Sequence, residues 1–273
     1  MAAKTLWCVE PESAAVAALL PVDAVCLDIG GEYGLYATQF SAAAPLGRTL
    51  VIEANPVLCS WLRWVRRLLR ATQLDVVGRA VGSQAGRVTF EVPRRRGRAV
   101  VGRGSVATRR GPNHEEFSRF DHFDVEVVTL DAIVAAAGLD RVDVVKADIE
   151  GMEAAMLDGA GETLRRFSPT WLLEIEYRHL SKFGRSPAEV FETLLRRGYT
   201  CSVYSRGRWE PTVGPVPGVR NYLFTPDRTG TAVADHCLTR DRSEEGPRTR
   251  ACSGPRPPTT GRPGGRGRTS RPR

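Results

Sequence analysis

The chain has 273 residues, 42% hydrophobic and 26% charged, which is enough apolar material for one large α/β domain with a sizeable core. Its formal net charge of +8 rests on thirty-six arginines with only three lysines, and residues 226–273 alone hold eleven arginines against five acidic residues, so the body of the chain is nearly balanced. That distribution speaks against specific nucleic-acid binding; the six scattered cysteines, with no Cys-x-x-Cys, speak against a metal site or a disulfide framework.

Glu10, Pro11 and Glu12 interrupt any leader-like apolar core and no run reaches membrane-spanning length, so a cytoplasmic protein is expected. Residues 1–23 read as a helical lead-in, with an amphipathic piece from Ser13 to Leu20 capped by Ser13 and stopped by Pro21. The apolar run Val25 to Ile29 predicts a first buried strand, which ends at Gly30, Gly31 and Gly34 and turns into a helix over Tyr33 to Ala44. Arg48 to Glu53 predicts a second strand. Pro56 then opens a helix, with apolar residues at helical spacing from Val57 to Ala71. Alternating strands and helices with short connections imply a doubly wound, mostly parallel sheet with right-handed crossovers.

Leu74 to Val81 predicts a third strand and Arg87 to Val92 another. Pro93 to Pro112, with seven arginines and no acid, and the mixed stretch to Asp121 read as one long loop. Asp124 to Leu130 alternates like a strand, Asp131 to Ala137 reads as a short helix, and Val142 to Ala147 predicts a fourth buried strand ending at Asp148. Met152 to Leu157 resumes helix, Thr170 to Ile175 predicts a fifth strand, and Ser186-Pro187 opens a helix that Gly198 ends. Thr200 to Tyr204 and Asn221 to Thr225 read as a closing antiparallel hairpin, with Gly207 and Gly214 to Gly218 in its turn. The expected domain thus runs over 24–225, and the Pro/Gly/Arg-rich residues 226–273 are expected to be a disordered basic tail, because they cannot bury enough surface to offset the entropy of ordering.

In an open parallel sheet a ligand sits over the carboxyl ends of the strands, where strand order reverses. The glycine turn after strand one, Glu53 after strand two, and Asp148 with Glu150 after strand four all fall there. Glu53 lies twenty-three residues beyond Gly30, about the separation at which an acid reaches the hydroxyls of an adenosine ribose. NAD and S-adenosylmethionine both satisfy that. Gly30-Gly31-Glu32-Tyr33-Gly34 departs from the G-x-G-x-x-G that admits a pyrophosphate, and acidic Asp28 suits a ligand with a sulfonium and an amine but no phosphate. S-adenosylmethionine is therefore favoured, with an NAD-dependent oxidoreductase or a non-catalytic methyltransferase-like module as alternatives.

Five stretches together resemble the FkbM-type methyltransferases, a class I family: Asp28-Ile-Gly-Gly-Glu-Tyr-Gly34, Glu53-Ala-Asn-Pro56, Val128-Thr-Leu-Asp131, Val145-Lys-Ala-Asp-Ile-Glu-Gly151 and Leu172-Leu-Glu-Ile-Glu176. The resemblance covers roughly Ala24 to Thr225. It implies a class I, Rossmann-like fold and methyl transfer from S-adenosylmethionine to a hydroxyl oxygen of a small or glycosylated metabolite. It also implies that Asp28, Gly30, Gly31, Gly34, Glu53 and Ala80 surround the cofactor. Family members often carry Ala-Asn where this chain has Gly31-Glu32, and Glu32 is expected to face outward, away from the cofactor's carboxylate.

Methyl transfer requires an aligned acceptor oxygen and removal of its proton. Asp148, Glu150 and His179 are the candidate groups, His179 because its ordinary pKa lies near neutrality. Each also has a plainer role: Glu150 and Glu153 suit the positive start of the following helix, and His179 suits a structural or surface position. Asp148, Glu150 and Glu176 offer oxygens of a kind magnesium accepts, but no spacing requires a metal. The Arg94 to Arg110 segment is positioned to close over an acceptor and recognise a phosphate or carboxylate on it.

Overall fold

The computed structural model of the chain describes residues 10–108 and 112–228. Nearly all of the basic tail expected from 226, and the first nine residues of the lead-in, lie outside the described residues. The lead-in helix α1 (Pro11–Ala17) starts earlier than expected, because Pro11 takes its first position while Ser13 donates to the Glu10 carbonyl at 2.7 Å instead of capping. There follow β1 (Val25–Ile29), α2 (Leu35–Ala43), β2 (Arg48–Ile52), α3 (Pro56–Leu68) and β3 (Leu74–Val77). Asn55 caps α3, its side chain accepting from the Val57 N–H at 3.0 Å, and Pro56 fills the first turn.

The single strand expected over 74–81 breaks at Gly78, and its second half, β4 (Ala80–Val81), joins another sheet. The stretch read as a long loop is not one. It holds the end of β5 (Gly86–Arg95), then β6 (Arg98–Ala99), β7 (Ser105–Val106), the short helix α4 (Pro112–Glu116) and the start of β8 (Phe120–Val128). Non-local pairing that a local pattern cannot reveal gives these residues their hydrogen bonds: β5 runs antiparallel to β8 from Gly86 to Pro93, and β6 and β7 pair back onto β5.

The chain then returns through α5 (Leu130–Ala136), β9 (Val144–Ala147), α6 (Glu153–Asp158), α7 (Gly161–Phe167), β10 (Thr170–Glu174), α8 (Tyr177–Leu180), α9 (Pro187–Leu195), β11 (Tyr199–Ser205), β12 (Arg208–Thr212) and β13 (Asn221–Pro226). The main sheet has eight strands in the order β12-β11-β13-β10-β9-β1-β2-β3. The five from β3 to β10 are parallel, and β13 is antiparallel to both of its neighbours. The expected pairing of Thr200–Tyr204 with Asn221–Thr225 exists, but those strands are not a hairpin. The hairpin is β11 with β12 about Arg206-Gly207, and β13 inserts between β11 and β10.

Alternation along the parallel strands sorts side chains onto two faces. Leu27, Ile29, Leu50, Ile52, Val145, Ala147, Trp171 and Leu173 pack with residues of α5, α6, α7 and α9 in the larger core. Cys26, Val144 and Leu172 face Val16, Tyr36 and Phe40 of α1 and α2 on the other side. Strand order reverses between β1 and β9, which opens a crevice above their carboxyl ends. The second sheet, built on Phe90, Val92, Val125 and Val127, has its own apolar core.

Candidate active site

A cleft of ≈ 590 Å³ opens at that crevice, lined among others by Gly30, Glu32, Glu53, Ala80, Asp148 and Glu150. The glycine turn is shaped by close approach. A Cβ on Gly30, at φ +75°, would stand 1.9 Å from the Asp148 carbonyl oxygen, so only glycine lets the ends of β1 and β9 pass. Gly31 and Gly34 do not line the cleft; Cβ atoms there would strike Val51 at 2.3 Å and Leu62 at 2.9 Å.

Asp28 is 1% exposed and also off the cleft, its carboxylate accepting the Ala37 N–H at 2.9 Å. It does for α2 what Gly34, lacking a side chain, cannot do as N-cap, and burial pushes its pKa up to about 6. Glu53, at the end of β2, is buried and lines the cleft. Its two oxygens accept the Asn55 N–H at 2.7 Å and the Glu32 N–H at 3.0 Å, tying the second strand end to the glycine turn.

Glu32 does not face outward. Its carboxylate turns into the cleft, where a Cβ on Gly102 would lie 3.1 Å from its Oε1. Burial, then the charges of Asp148 and Glu53, push its pKa up to about 7.

The cleft adjoins a second, acid-lined pocket of ≈ 190 Å³ bounded by Asp148, Glu150, Glu153, Glu174, Glu176 and His179. Asp148 and Glu150 line both. His179, 6% exposed, sits on α8 with Nδ1 2.5 Å from Glu150 Oε2, an ion-pair distance without aligned hydrogen-bond geometry. Lys182 Nζ approaches the same oxygen at 3.7 Å, and burial lowers the pKa of that lysine. The structure therefore brings Asp148, Glu150 and His179 together, although Glu150 and His179 stand 29 positions apart in the chain.

Glu150 and Gly151 take left-handed backbone, at φ +55° and +108°, so that the chain can fold over the start of α8; a Cβ on Gly151 would lie 2.3 Å from the His179 carbonyl oxygen. Glu153 holds this turn from below. Its Oε1 accepts the Ile149 N–H at 3.0 Å and the Gly151 N–H at 3.3 Å, so its role is to satisfy backbone donors in the turn before its helix.

Beneath Asp148 lies Lys146, 3% exposed, with Nζ 3.4 Å from Asp148 Oδ2 and 5.0 Å from the Tyr36 ring centroid. Burial disfavours the ammonium, but Asp148 and Asp28 outweigh it and hold the pKa of Lys146 above its ordinary value. Burial would likewise raise Asp148. Lys146 and a hydrogen bond from Glu174 reverse that and keep it ionised, while Glu174 itself is pushed up to about 10 by burial and by Asp148.

Sequence reasoning missed Arg79, Phe90, Val101, Gly104, Val106 and Met152 in the cleft wall. The alternation of 87–92 contained the signal for Phe90, whereas the turn at 101–104 has no periodicity. Three arginines of the 94–103 stretch face carboxylates of the same region: Arg94 pairs with Asp121 at 2.7 Å, and Arg95 and Arg103 both reach Glu116. Among the described residues no group of His, Cys, Asp and Glu is arranged to hold a metal, and no helix is long and apolar enough to cross a membrane.

A methyltransferase FkbM domain profile matches residues 28–201, from the glycine turn through the acid-lined pocket into β11. The chain belongs to the FkbM methyltransferase family. The FkbM chain is also 27% identical over 190 residues to the 2-O-methyltransferase NoeI of Sinorhizobium fredii, a match spanning 68% of this chain and 76% of that protein. Among solved structures it resembles the FkbM methyltransferase of Methylobacillus flagellatus KT at 17% identity and TM-score 0.49, over 79% of this chain but only 50% of that one. It also resembles the O-methyltransferase TomG of Streptomyces achromogenes, at 11% identity and TM-score 0.45 over 80% of this chain and 81% of that one.

Proposed function

We propose that this FkbM-family chain transfers the methyl group of S-adenosylmethionine to a hydroxyl oxygen of a small, uncharged or glycosylated acceptor. The observation that carries the reading is the shared wall: Asp148 and Glu150 line both the glycine-turn cleft and the pocket that holds His179. The cleft residues fit the cofactor. Gly30 admits close backbone approach, Glu53 offers a buried carboxylate to ribose hydroxyls, Ala80 and Val81 give an apolar wall, and Glu32, Glu53 and Asp148 suit a cation. The bound cofactor supplies an electrophilic methyl group.

The protein must then hold the acceptor oxygen in line and take its proton. Glu150 and His179 serve as a coupled base, the carboxylate orienting the imidazole and stabilising the imidazolium as the proton arrives. Asp148 stays ionised over Lys146 and accepts a hydrogen bond from the acceptor. Asp148 and Glu176, whose neighbours hold them ionised, stand in the pocket wall and repel anions, which favours a neutral polyhydroxyl acceptor; the arginines of 94–103 that pair internally are not available to select an acidic one. The 2-O-methyltransferase named among the relatives supports hydroxyl oxygen as the target.

Isothermal titration of the full chain with S-adenosylhomocysteine is expected to give a binding isotherm that Glu53→Ala weakens by about tenfold or more. His179→Ala and Glu150→Gln should lower labelled-methyl transfer to a panel of hydroxylated sugars by roughly 10²- to 10⁴-fold, and His179→Ala, off the cofactor cleft, should leave that isotherm nearly unchanged. A silent titration removes the cofactor assignment, and full turnover in both variants removes the base.

A further inference from the structure

Helix α3 has two apolar faces, and the protein covers one of them. Leu58, Cys59 and Leu62 pack inward, while Val57, Trp61, Trp64 and Leu68 are between 44% and 63% exposed. Their spacing of four, three and four residues lines them up as a single stripe about 16 Å long. The rings of Trp61 and Trp64 lie 5.1 Å apart and close the middle of the stripe.

Arg67 flanks the stripe, Arg63 lies further round the helix toward Gly78 and Arg70 follows in the turn after it, all exposed and without a carboxylate partner among the described residues, whereas Arg66 on the inner side pairs with Asp75. Residues 54–74 contain no Asp or Glu. The C-terminal end of the stripe meets a largely apolar groove of ≈ 510 Å³ between α2 and α3, with Ala42, Val65, Leu69 and Leu74 in its walls.

We propose that α3 docks on an anionic lipid bilayer, with Val57, Trp61, Trp64 and Leu68 entering the acyl boundary and Arg63, Arg67 and Arg70 meeting headgroup phosphates. Exposed apolar stripes of this size mark interaction surfaces, and tryptophan with flanking arginine is the composition that suits a membrane interface. A second copy fits worse: an isologous pair of α3 helices would set arginine against arginine with no acid on either helix to neutralise them. A nucleic acid would stack on single aromatic faces and leave Val57 and Leu68 at the ends of the stripe unused. Helix α3 also starts at the cleft, since Leu58 lines it, so docking holds the cleft within one helix length of the lipid. The proposal does not depend on the methyl acceptor being a hydroxyl.

The test mixes the full chain with vesicles of phosphatidylcholine alone, or with about a third phosphatidylglycerol, carrying brominated acyl chains, and reads co-sedimentation and tryptophan fluorescence. Anionic vesicles should bind about tenfold or more tightly than neutral ones, quench the fluorescence, and release the protein as salt rises. Trp61→Phe/Trp64→Phe should still bind but lose the quenching. Trp61→Ser/Trp64→Ser should lose about tenfold in binding, and Arg63→Glu/Arg67→Glu/Arg70→Glu should lose the preference for anionic lipid. These side chains are exposed, so thermal midpoints should stay put, and the wild-type quenching decides the matter should a variant misfold. No binding, or vesicle binding without quenching because residues 229–273 attach alone, overturns the proposal. So does a dimer in sedimentation equilibrium that Trp61→Ser/Trp64→Ser dissociates.

Discussion

Glu32 occupies a position that disfavours it twice. Its φ of +43° is backbone that glycine and asparagine adopt more readily, and its carboxylate stands among Glu53, Asp148 and Glu150. In return its N–H reaches Glu53, and its charge adds to an acidic cleft suited to a sulfonium. S-adenosylmethionine carries one positive charge more than S-adenosylhomocysteine, so ionising Glu32 should favour the former. With its pKa pushed up to about 7, the preference for S-adenosylmethionine should grow by about three- to tenfold as pH rises from about 6 to about 8. Glu32→Gln should flatten that rise. Parallel titrations with both ligands measure it, and a pH-independent ratio in the wild type contradicts the assignment.

At the scale of elements, the register of β1, β9 and β10 explains why an acidic motif needs a lysine within it. Asp28 pairs with Lys146 across β1 and β9, and alternation sends both to the face covered by α2. Lys146 is thus the buried cation between Asp28 and Asp148, and Glu174 at the end of β10 adds a third carboxyl. Tyr36 of α2 closes the group and donates to Glu10 Oε2 at 2.5 Å, which joins the lead-in to the site. Removing one member of such a set leaves uncompensated charge. Lys146→Met should cost about 3–5 kcal/mol of stability in urea denaturation, and a loss below about 1 kcal/mol would mean the carboxyls are already neutral. Asp131 belongs to the same family-like stretches but serves α7, its carboxylate accepting the Glu162 and Thr163 N–H groups at 2.9 and 2.8 Å.

For the whole molecule, several buried acids share a sign. Asp28, Glu32 and Glu153 rise to about 6, 7 and 7, so between about pH 4.5 and 7 the folded chain holds more protons than the unfolded one. Their protonated forms favour folding at low pH, and that contribution is lost as pH climbs through the folded values. Asp148 and Glu176 act oppositely, losing stability only as pH falls below the ordinary carboxylate range. Thermal midpoints should therefore decline from about pH 4.5 to 7 and level off above it. Glu153, raised first by burial, accounts for about 3 kcal/mol of that slope at most. Glu153→Gln keeps an acceptor for the Ile149 and Gly151 N–H groups and should be more stable than wild type at pH about 8 but not at about 5. Equal midpoints for the two proteins at the higher pH would place the slope elsewhere.

By itself the sequence determined what short-range physics controls. The apolar runs ending in Asp28, Glu53 and Asp148 became adjacent parallel strands, Asn55-Pro56 started α3, and the glycine turn formed where Gly30 had to pass Asp148. The second sheet, the insertion of β13 beside β10, the inward turn of Glu32 and the seat of His179 against Glu150 were decided only in three dimensions. Each of these depends on a partner far along the chain, or on charge and burial summed over several strands. Spacing alone records neither, because a side chain's surroundings are set by the elements that arrive beside it.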